Sequence, residues 1–172
     1  MKVIFSHGRL GRPDGQKVKR LSAIAQGKGW QTASIDYTDT LDPDVRADRL
    51  IDIVKQQDEP FCLVGSSMGG YASLVAAEQA DRTLLSGVFL MAPALFMPIY
   101  RRKRHITDIR HVEIVHGWHD DIILYEHSVR YAHSAGCTLH LIDDNHHLSK
   151  QPEQLDRFFT AFLDKAKKLI SD

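Results

Sequence analysis

The segment Gly65-Ser66-Ser67-Met68-Gly69-Gly70 is the strongest chemical signal in the sequence. It fits the pattern Gly-x-Ser-x-Gly with Ser67 at its centre, and it stands between an apolar run and an alanine-rich stretch. In a sharp turn from strand to helix this spacing exposes the serine hydroxyl, and the glycines let neighbouring chain pass without a Cβ clash. Ser67 is therefore a candidate nucleophile. The alternative is a glycine-rich turn in which Ser67 only caps a helix.

The backbone N–H of Met68 would lie at the start of the helix that follows Ser67. Unpaired backbone donors and the helix dipole both favour an anion at that position. The pattern therefore predicts that Met68 supplies half of an oxyanion hole, the pair of donors that stabilises a developing negative oxygen.

Two later segments supply the residues that a serine nucleophile needs. A serine hydroxyl reacts poorly unless a base removes its proton, so a histidine and usually a carboxylate must accompany it. The segment His116-Gly117-Trp118-His119-Asp120-Asp121 contains both, and so does Asp143-Asp144-Asn145-His146-His147. Each follows a predicted strand, and ligands of open α/β sheets bind beyond the carboxyl ends of the strands. We therefore expect the two segments and Ser67 to meet at one edge of a sheet.

Short apolar runs alternate with longer helical patterns, which is typical of βαβ units that form a parallel sheet. Strands are predicted at 2–6, 32–36, 61–65, 87–91, 112–116 and 138–142. Apolar spacing and capping residues predict helices that begin near Val18, begin near Pro43, follow Ser67, and span 125–135 and 152–170. Several strands are apolar throughout, as expected when helices cover both faces of the sheet. The whole chain, 1–172, is interpreted as a single domain.

Composition bears on partners and location. Lys plus Arg and Asp plus Glu each number 22, so the formal charge cancels and no nucleic-acid or anionic-membrane partner is expected. The longest apolar stretch, 87–100, falls short of the roughly 20 residues that cross a bilayer. Cys62 and Cys137 are the only cysteines and lie in apolar segments, which indicates buried thiols in a reducing compartment. Without a signal-peptide pattern after Met1, we expect a cytoplasmic protein that acts on a small molecule, and its oligomeric state is not predicted.

Together these motifs resemble those of the α/β-hydrolase superfamily, in particular its small members without a cap domain. The matching segments are the His7-Gly8 turn, the Ser67 elbow, the His116-Gly117-x-x-Asp120 turn and the Asn145-His146 loop, which extend over nearly the whole chain. The resemblance implies a three-layer α/β sandwich with a six-stranded parallel sheet in the order 2-1-3-4-5-6. Larger members place an antiparallel strand pair before the first parallel strand, and we expect this hairpin to be lacking here.

The resemblance also implies roles for individual residues. In this superfamily the residue after the first His-Gly donates the second oxyanion N–H, which assigns that role to Arg9. The acid usually stands four residues after the histidine of the later His-Gly turn, which favours Asp120 over Asp121. The catalytic histidine commonly follows a Gly, Asn or Asp, which favours His146 over His147. The two neighbours stay open as alternatives, should the loop register differ by one residue.

The resemblance implies a serine hydrolase that cleaves small carboxylic esters or thioesters through an acyl-enzyme, without a cofactor. In that mechanism His146 takes the Ser67 proton and Asp120 orients the imidazole. Because the fold also carries proteins that only bind, a non-catalytic ligand- or protein-binding module is the alternative. A divalent-metal site is a further alternative, although no compact motif such as His-Glu-x-x-His supports it and no metal is expected. Its ligands would come from His116, His119, Asp120, Asp121, Asp143, Asp144, His146 and His147.

The segment 92–110 is too long for an ordinary turn in a compact domain, so it is a candidate functional loop. Its apolar residues are predicted to line an acyl pocket or, alternatively, to pack in the core. The substrate-binding candidates are Leu95, Phe96, Met97 and Tyr100. The basic run 101–105 is interpreted as a solvated loop face rather than an anion-binding patch. The loop is too short for a helical cap, so we expect an open site that prefers short esters, from acetyl to hexanoyl.

Overall fold

The computed structural model describes residues 1–105 and 107–171, in which six strands form one parallel sheet. Within these described residues, five helices cover the two faces of the sheet. In chain order the elements are β1 (Lys2–Ser6), α1 (Gln16–Gly27), β2 (Gln31–Ser34), α2 (Pro43–Val54), β3 (Phe61–Ser66), α3 (Met68–Ala77), β4 (Leu85–Met91), β5 (Val112–Gly117), α4 (Tyr125–Ala135), β6 (Thr138–Ile142) and α5 (Pro152–Ser171). The strand order β2-β1-β3-β4-β5-β6, parallel at each pairing, confirms the predicted architecture.

Two apolar cores lie on opposite faces of the sheet. Because successive strand residues point to opposite faces, Leu63 packs with α2, α3 and α4, whereas its neighbour Val64 packs with α1 and α5. Burial on both faces explains why the central strands are apolar without interruption. The carboxyl edge of the sheet therefore rests on a scaffold that is packed from both sides.

The strand predicted at 32–36 is displaced, because β2 covers Gln31–Ser34. Pairing with β1 continues only as far as the N–H of Ile35, which donates to the Phe5 carbonyl at 3.0 Å. Beyond it, the N–H of Tyr37 donates to the Nε2 atom of His7 at 3.2 Å instead of to a strand carbonyl. A side-chain contact therefore replaces the ladder and ends the strand early.

Helix α3 is buried along its whole length, since it packs directly against β1, β3, β4 and α2. A Cβ atom on Gly69 would collide with the Ser6 carbonyl oxygen, and one on Gly65 would lie 2.5 Å from the Gly69 carbonyl oxygen. Only glycine allows so close an approach. The contact fixes where α3 begins and, with it, the position of Ser67.

Aromatic contacts hold the described part of the β4–β5 loop against the helices. The ring of Tyr100 lies 4.6 Å from that of Tyr71 on α3. The His105 ring meets Tyr71, Phe96 and Tyr131 at centroid distances of 5.8, 5.2 and 6.5 Å. The N–H of Phe96 also donates to His105 Nε2 at 3.4 Å. His105 is therefore the residue around which this loop is packed.

Carboxylates of the neighbouring helices pair with Arg101 and Arg102, the first two residues of the basic run. The Arg101 guanidinium donates to both carboxylate oxygens of Asp48 at 2.9 Å. The backbone N–H of Arg101 donates to the Asp44 carboxylate at 3.1 Å. Arg102 lies 3.6 Å from Glu78. These pairs are partly exposed, and they agree with a solvated loop face.

Both cysteines are free thiols in the fold. Cys62 is buried in β3, and Cys137 lies half-buried just before β6. Burial raises the pKa of both thiols, that of Cys137 to about 11. Among the described helices, none combines the length and the apolarity that crossing a membrane requires.

Acid should loosen the β4–β5 loop through His105. Burial lowers the pKa of His105 from 6.5 to about 4, so the folded protein holds the ring neutral. Its contribution to stability is complete above pH 6.5 and is lost as the pH falls toward 4. This linkage changes the unfolding free energy by up to about 1.4 kcal/mol per pH unit. We expect denaturant titrations across this window to show a shallower loss of stability for His105→Gln than for the wild type.

The exposed His133 on α4 provides the matched control for this experiment. His133→Gln should keep the wild-type dependence of stability on pH. Parallel profiles for His105→Gln and the wild type would contradict the role given to His105.

Candidate active site

Ser67 occupies the turn between β3 and α3 in a strained backbone conformation, with φ 54° and ψ −119°. A positive φ is costly for a residue with a Cβ atom. Backbone hydrogen bonds hold it: the Ser67 N–H donates to the Met91 carbonyl at 2.9 Å, and the Ser67 carbonyl accepts the N–H groups of Gly70 (2.9 Å) and Ala94 (3.0 Å). The turn directs Ser67 into a cavity at the carboxyl edge of the sheet.

Asp120 follows β5 and His146 follows β6, and the two side chains are hydrogen-bonded. His146 Nδ1 lies 2.7 Å from Asp120 Oδ2, and the Asp120 side chain is fully buried. The other carboxylate oxygen accepts the N–H groups of Ile122 (2.9 Å) and Ile123 (2.8 Å). Because Asp120 Oδ2 is an acceptor, His146 Nδ1 carries the proton and Nε2 is left as an acceptor. This is the tautomer that a general base needs.

His116 is a further partner of Asp120, a role for which the sequence offers only its place in the His-Gly turn. Its ring is wholly buried, with Nε2 2.9 Å from Asp120 Oδ2 and Nδ1 2.7 Å from Ser128 Oγ. Burial alone would raise the pKa of Asp120, but the hydrogen bonds from His116, His146 and two backbone N–H groups hold it well below its usual range. Asp120 is therefore ionised at neutral pH.

The neighbours Asp121 and His147 are exposed, in contrast to Asp120 and His146. The N–H of His147 donates to Asn145 Oδ1 at 2.9 Å, which fixes the loop register. Its ring stands 5.8 Å from that of His146 and still lines the cavity. The structure thus brings Asp120 and His146 together and leaves the alternative pair apart.

Of the histidines and carboxylates considered as metal ligands, His116, Asp120 and His146 meet as hydrogen-bond partners, with both rings bonded to Asp120 Oδ2. Asp143 is exposed and pairs with His119 (3.1 Å) and Lys150 (2.7 Å), away from the buried Asp120. In residues 1–105 and 107–171, no three His, Cys, Asp or Glu side chains are arranged to hold a metal ion.

Ser67 and His146 line the same cavity, whose volume is about 680 Å³. No described residue hydrogen-bonds to the Ser67 hydroxyl, which leaves it free to meet a ligand. Several apolar side chains of the cavity wall are largely exposed, namely Leu10, Leu41, Ile99 and Ile122. The cavity therefore has an apolar rim that solvent reaches.

Two of the four loop residues predicted to bind substrate line this cavity, Met97 and Tyr100. The other two do not. Leu95 is fully buried in the core on the α2–α3–α4 face. Phe96 has φ 56° and turns away, so that its ring lies 4.2 Å from the Arg130 guanidinium of α4. Of the four predicted substrate-binding residues, only Met97 and Tyr100 are therefore placed to contact an acyl group in the cavity.

The loop after β1 passes directly over the Ser67 turn. A Cβ atom on Gly8 would lie 3.4 Å from the Cβ atom of Ser67. The next residue, Arg9, lines the same cavity as Met68, the first residue of α3. The two residues predicted to donate oxyanion N–H groups thus border the cavity beside Ser67.

His7 orders this loop from within. Its Nδ1 lies 2.8 Å from the Gly8 carbonyl oxygen, while its Nε2 accepts the N–H of Tyr37. These partners place the proton on Nδ1 of a neutral ring. Burial lowers the pKa of His7, which also favours the neutral form.

Arg46 is a buried cation that binds the same loop through carbonyl oxygens. Its side chain is 1% exposed. The guanidinium donates to the carbonyls of Gly8 (3.1 Å), Arg9 (3.1 Å), Tyr37 (3.2 Å) and Thr40 (2.7 Å). Burial lowers the pKa of Arg46, and it lies 5.1 Å from the centre of the Tyr37 ring. One side chain therefore ties the loop after β1 to the segment between β2 and α2.

Sequence reasoning missed Arg46, because no motif surrounds it. Its one signal is position: Arg46 stands four residues before Leu50 and eight before Val54, on the buried face of α2. A charged residue on an apolar helical stripe needs polar partners in the fold. That signal indicates a buried network but not which loop it binds.

Comparison with known proteins gives the fold a wider context. No family model and no curated protein matches the sequence. A protein of the alpha/beta superfamily from Xanthomonas campestris pv. campestris, assigned as a hydrolase without a named substrate, superposes with a TM-score of 0.85 at 29% identity, covering 95% of this chain and 98% of that chain. Est1E from Butyrivibrio proteoclasticus gives 0.80 at 19%, with 97% and 88% covered. The ydeN gene product of B. subtilis gives 0.79 at 17%, with 95% and 98% covered.

These similarities show that the chain has the α/β-hydrolase fold, as the motif resemblance implied. At the level of reaction class, the neighbours support a hydrolase.

The role of Arg46 can be measured by replacing its fork of donors with a single ammonium. Arg46→Lys keeps the charge but leaves several buried carbonyls without a donor, and each unmade bond costs about 1–3 kcal/mol. We expect the unfolding free energy to fall by about 3 kcal/mol in denaturant titrations. Arg49→Lys is the matched control on the same helix, because Arg49 pairs with Asp39 at a partly exposed position, whereas Arg46 is buried. Its loss should stay below about 1 kcal/mol, and equal losses for the two variants would contradict the assignment.

Proposed function

We propose that the protein is a serine hydrolase that cleaves small carboxylic esters or thioesters through an acyl-enzyme. Ser67 is the nucleophile, His146 is the general base and Asp120 is the acid that orients it. The proposal is carried by the 2.7 Å hydrogen bond between Asp120 and His146, which borders the same cavity as the strained Ser67 turn. The hydrolase neighbours support the same reaction class.

The reaction begins when His146 Nε2 takes the Ser67 proton as the Ser67 oxygen attacks the carbonyl carbon. The free protein has no hydrogen bond between these two groups. Catalytic hydrogen bonds often tighten only when substrate is bound. Asp120 then faces an imidazolium, and its low pKa keeps the carboxylate charged to stabilise that cation.

Two backbone N–H groups, those of Arg9 and Met68, stabilise the negative oxygen of the tetrahedral intermediate. A donor of this kind contributes about 100- to 1,000-fold to the rate. The bond to the leaving group then breaks, and His146 returns its proton to the departing alcohol or thiol. The acyl group stays on Ser67 until a water molecule activated by His146 releases it as an acid and restores the serine. No step requires a cofactor.

The cavity favours short acyl groups. Its volume of about 680 Å³ lies in the range of small-molecule sites. Met97 and Tyr100 offer an apolar wall, but the rim is exposed. A long chain would leave methylenes in water, and each forgoes about 0.8 kcal/mol of binding.

Ser67→Ala is the first test. Because the triad acts as a unit, this variant should lose at least about 1,000-fold in kcat for p-nitrophenyl acetate while its unfolding free energy changes little. A fluorophosphonate probe should label the wild type stoichiometrically and leave Ser67→Ala unlabelled.

Ser66→Ala serves as its control, since Ser66 precedes the turn and also lines the cavity. It should keep labelling and lose less than about tenfold in rate. More than a tenth of the wild-type activity in Ser67→Ala would move the nucleophile elsewhere. If the fluorophosphonate probe did not label the folded wild-type protein, the result would favour the non-catalytic binding module.

A second test separates adjacent candidates by their hydrogen bonds. Asp120→Asn and His146→Ala should each lower kcat by about 1,000-fold or more, because the first spoils the tautomer and the second removes the base. Asp121→Asn and His147→Ala replace exposed side chains outside the Asp120–His146 pair. These two variants should lower kcat by less than about tenfold. If steady-state kinetics gave the opposite ranking, the assignment of Asp120 and His146 over their neighbours would be wrong.

A further inference from the structure

The cavity that holds Ser67 carries a surplus of positive charge that the cleavage of a neutral ester does not need. The charged side chains that line it belong to Arg9, Arg12 and Lys17. No Asp or Glu among residues 1–105 and 107–171 lines it. Since the chain as a whole has a formal charge of zero, the surplus is local.

Two of these three cations have no partner in the described part of the chain. Arg12 pairs with Asp14 at 3.2 Å. The guanidinium of Arg9 and the ammonium of Lys17 make neither an ion pair nor a hydrogen bond there. By contrast, Arg101 on the β4–β5 loop is matched by carboxylates of α2. No residue of the basic run 101–105 lines the cavity.

Lys17 is half-buried in the first turn of α1, which contains no acidic residue. Burial lowers its pKa to about 8, so most of it stays protonated at neutral pH. Asp144 attracts it from beyond ion-pair distance, and that carboxylate accepts the N–H groups of Asn145 (2.8 Å), Lys150 (3.0 Å) and Gln151 (3.1 Å). A half-buried ammonium with no carboxylate in direct contact costs free energy that an anion in the cavity would recover.

We propose that the substrate of the Ser67 site is an ester or thioester that carries an anionic group such as a carboxylate, held by Lys17 and Arg9. This inference rests on the proposed function and adds the charge of the substrate to it. Both cations line the cavity with Ser67, so one small molecule can meet them and the nucleophile together. The anionic group lies either on the acyl part or on the leaving group.

Two matched pairs of esters test the inference and separate these two positions. p-Nitrophenyl hydrogen adipate and p-nitrophenyl hexanoate differ by a carboxylate on the acyl part. para-Acetoxybenzoate and its methyl ester differ by one on the leaving group. The ratio of kcat/KM for the anionic ester to that for the neutral ester is measured within each pair. A loss of folded enzyme lowers both values and cancels in the ratio.

In at least one pair, Lys17→Gln should lower this ratio by about three- to tenfold, the effect of a partly exposed charged hydrogen bond. Lys17→Glu should lower it further, and Lys17→Arg should restore most of it. Arg9→Gln should change the ratio in the same direction as Lys17→Gln. The matched control is Lys19→Gln, because Lys19 is exposed on the same helix outside the cavity and should keep the wild-type ratio. Added salt should lower the wild-type ratio as well.

The outcomes separate this inference from the function on which it rests. Ratios that stay at the wild-type value in Lys17→Gln and Lys17→Glu, with hydrolysis of the neutral esters still dependent on Ser67, would overturn the anionic substrate alone. Absence of Ser67-dependent hydrolysis of all four esters would overturn both proposals. A response confined to one pair supports the inference and assigns the anionic group to that part of the substrate.

Discussion

The direct contact of α3 with β1 and β3 is the constraint on which the candidate site depends. Glycines at positions 65 and 69 allow the approach, because a Cβ atom at either would meet a backbone carbonyl. A chain that leaves β3 and enters α3 at this distance has to turn through the positive φ of Ser67. Such strain costs about 1–3 kcal/mol, and the burial of every α3 residue offsets it. The exposure of the serine is thus a consequence of packing.

Two buried ions extend this rigidity to the loops around Ser67, and neither is neutralised by an opposite charge. Asp120 is surrounded by donors, two imidazoles and two backbone N–H groups. Arg46 is surrounded by acceptors, all of them backbone carbonyls. A buried ion that loses its partners is strongly destabilising, so each holds its loops in one arrangement. Asp120 fixes the His146 ring, and Arg46 fixes the loop that passes over Ser67.

Local signals explain why so much of the fold could be predicted from the sequence. Helix α4 begins and ends at the predicted residues, because Gly136, with φ 60°, terminates it. The end of β2 could not be predicted, since it depends on a contact between Tyr37 and His7 from distant parts of the chain. Phe96 was predicted to face substrate, but its positive φ depends on contacts of the folded loop and turns the ring toward α4.

The distribution of charge around the cavity is a property that the amino-acid composition does not reveal. A formal charge of zero argues against long-range attraction to nucleic acid or an anionic membrane. It says nothing about how cations and carboxylates are sorted within the fold. Here Asp44 and Asp48 of α2 pair with Arg101, whereas Lys17 lines the cavity without a carboxylate in direct contact. Because charges separated by more than about 10 Å are largely screened in salt, a ligand in the cavity senses its walls and not the sum over the chain. The charge that a ligand would meet in such a cavity is therefore set by which ion pairs the fold completes elsewhere.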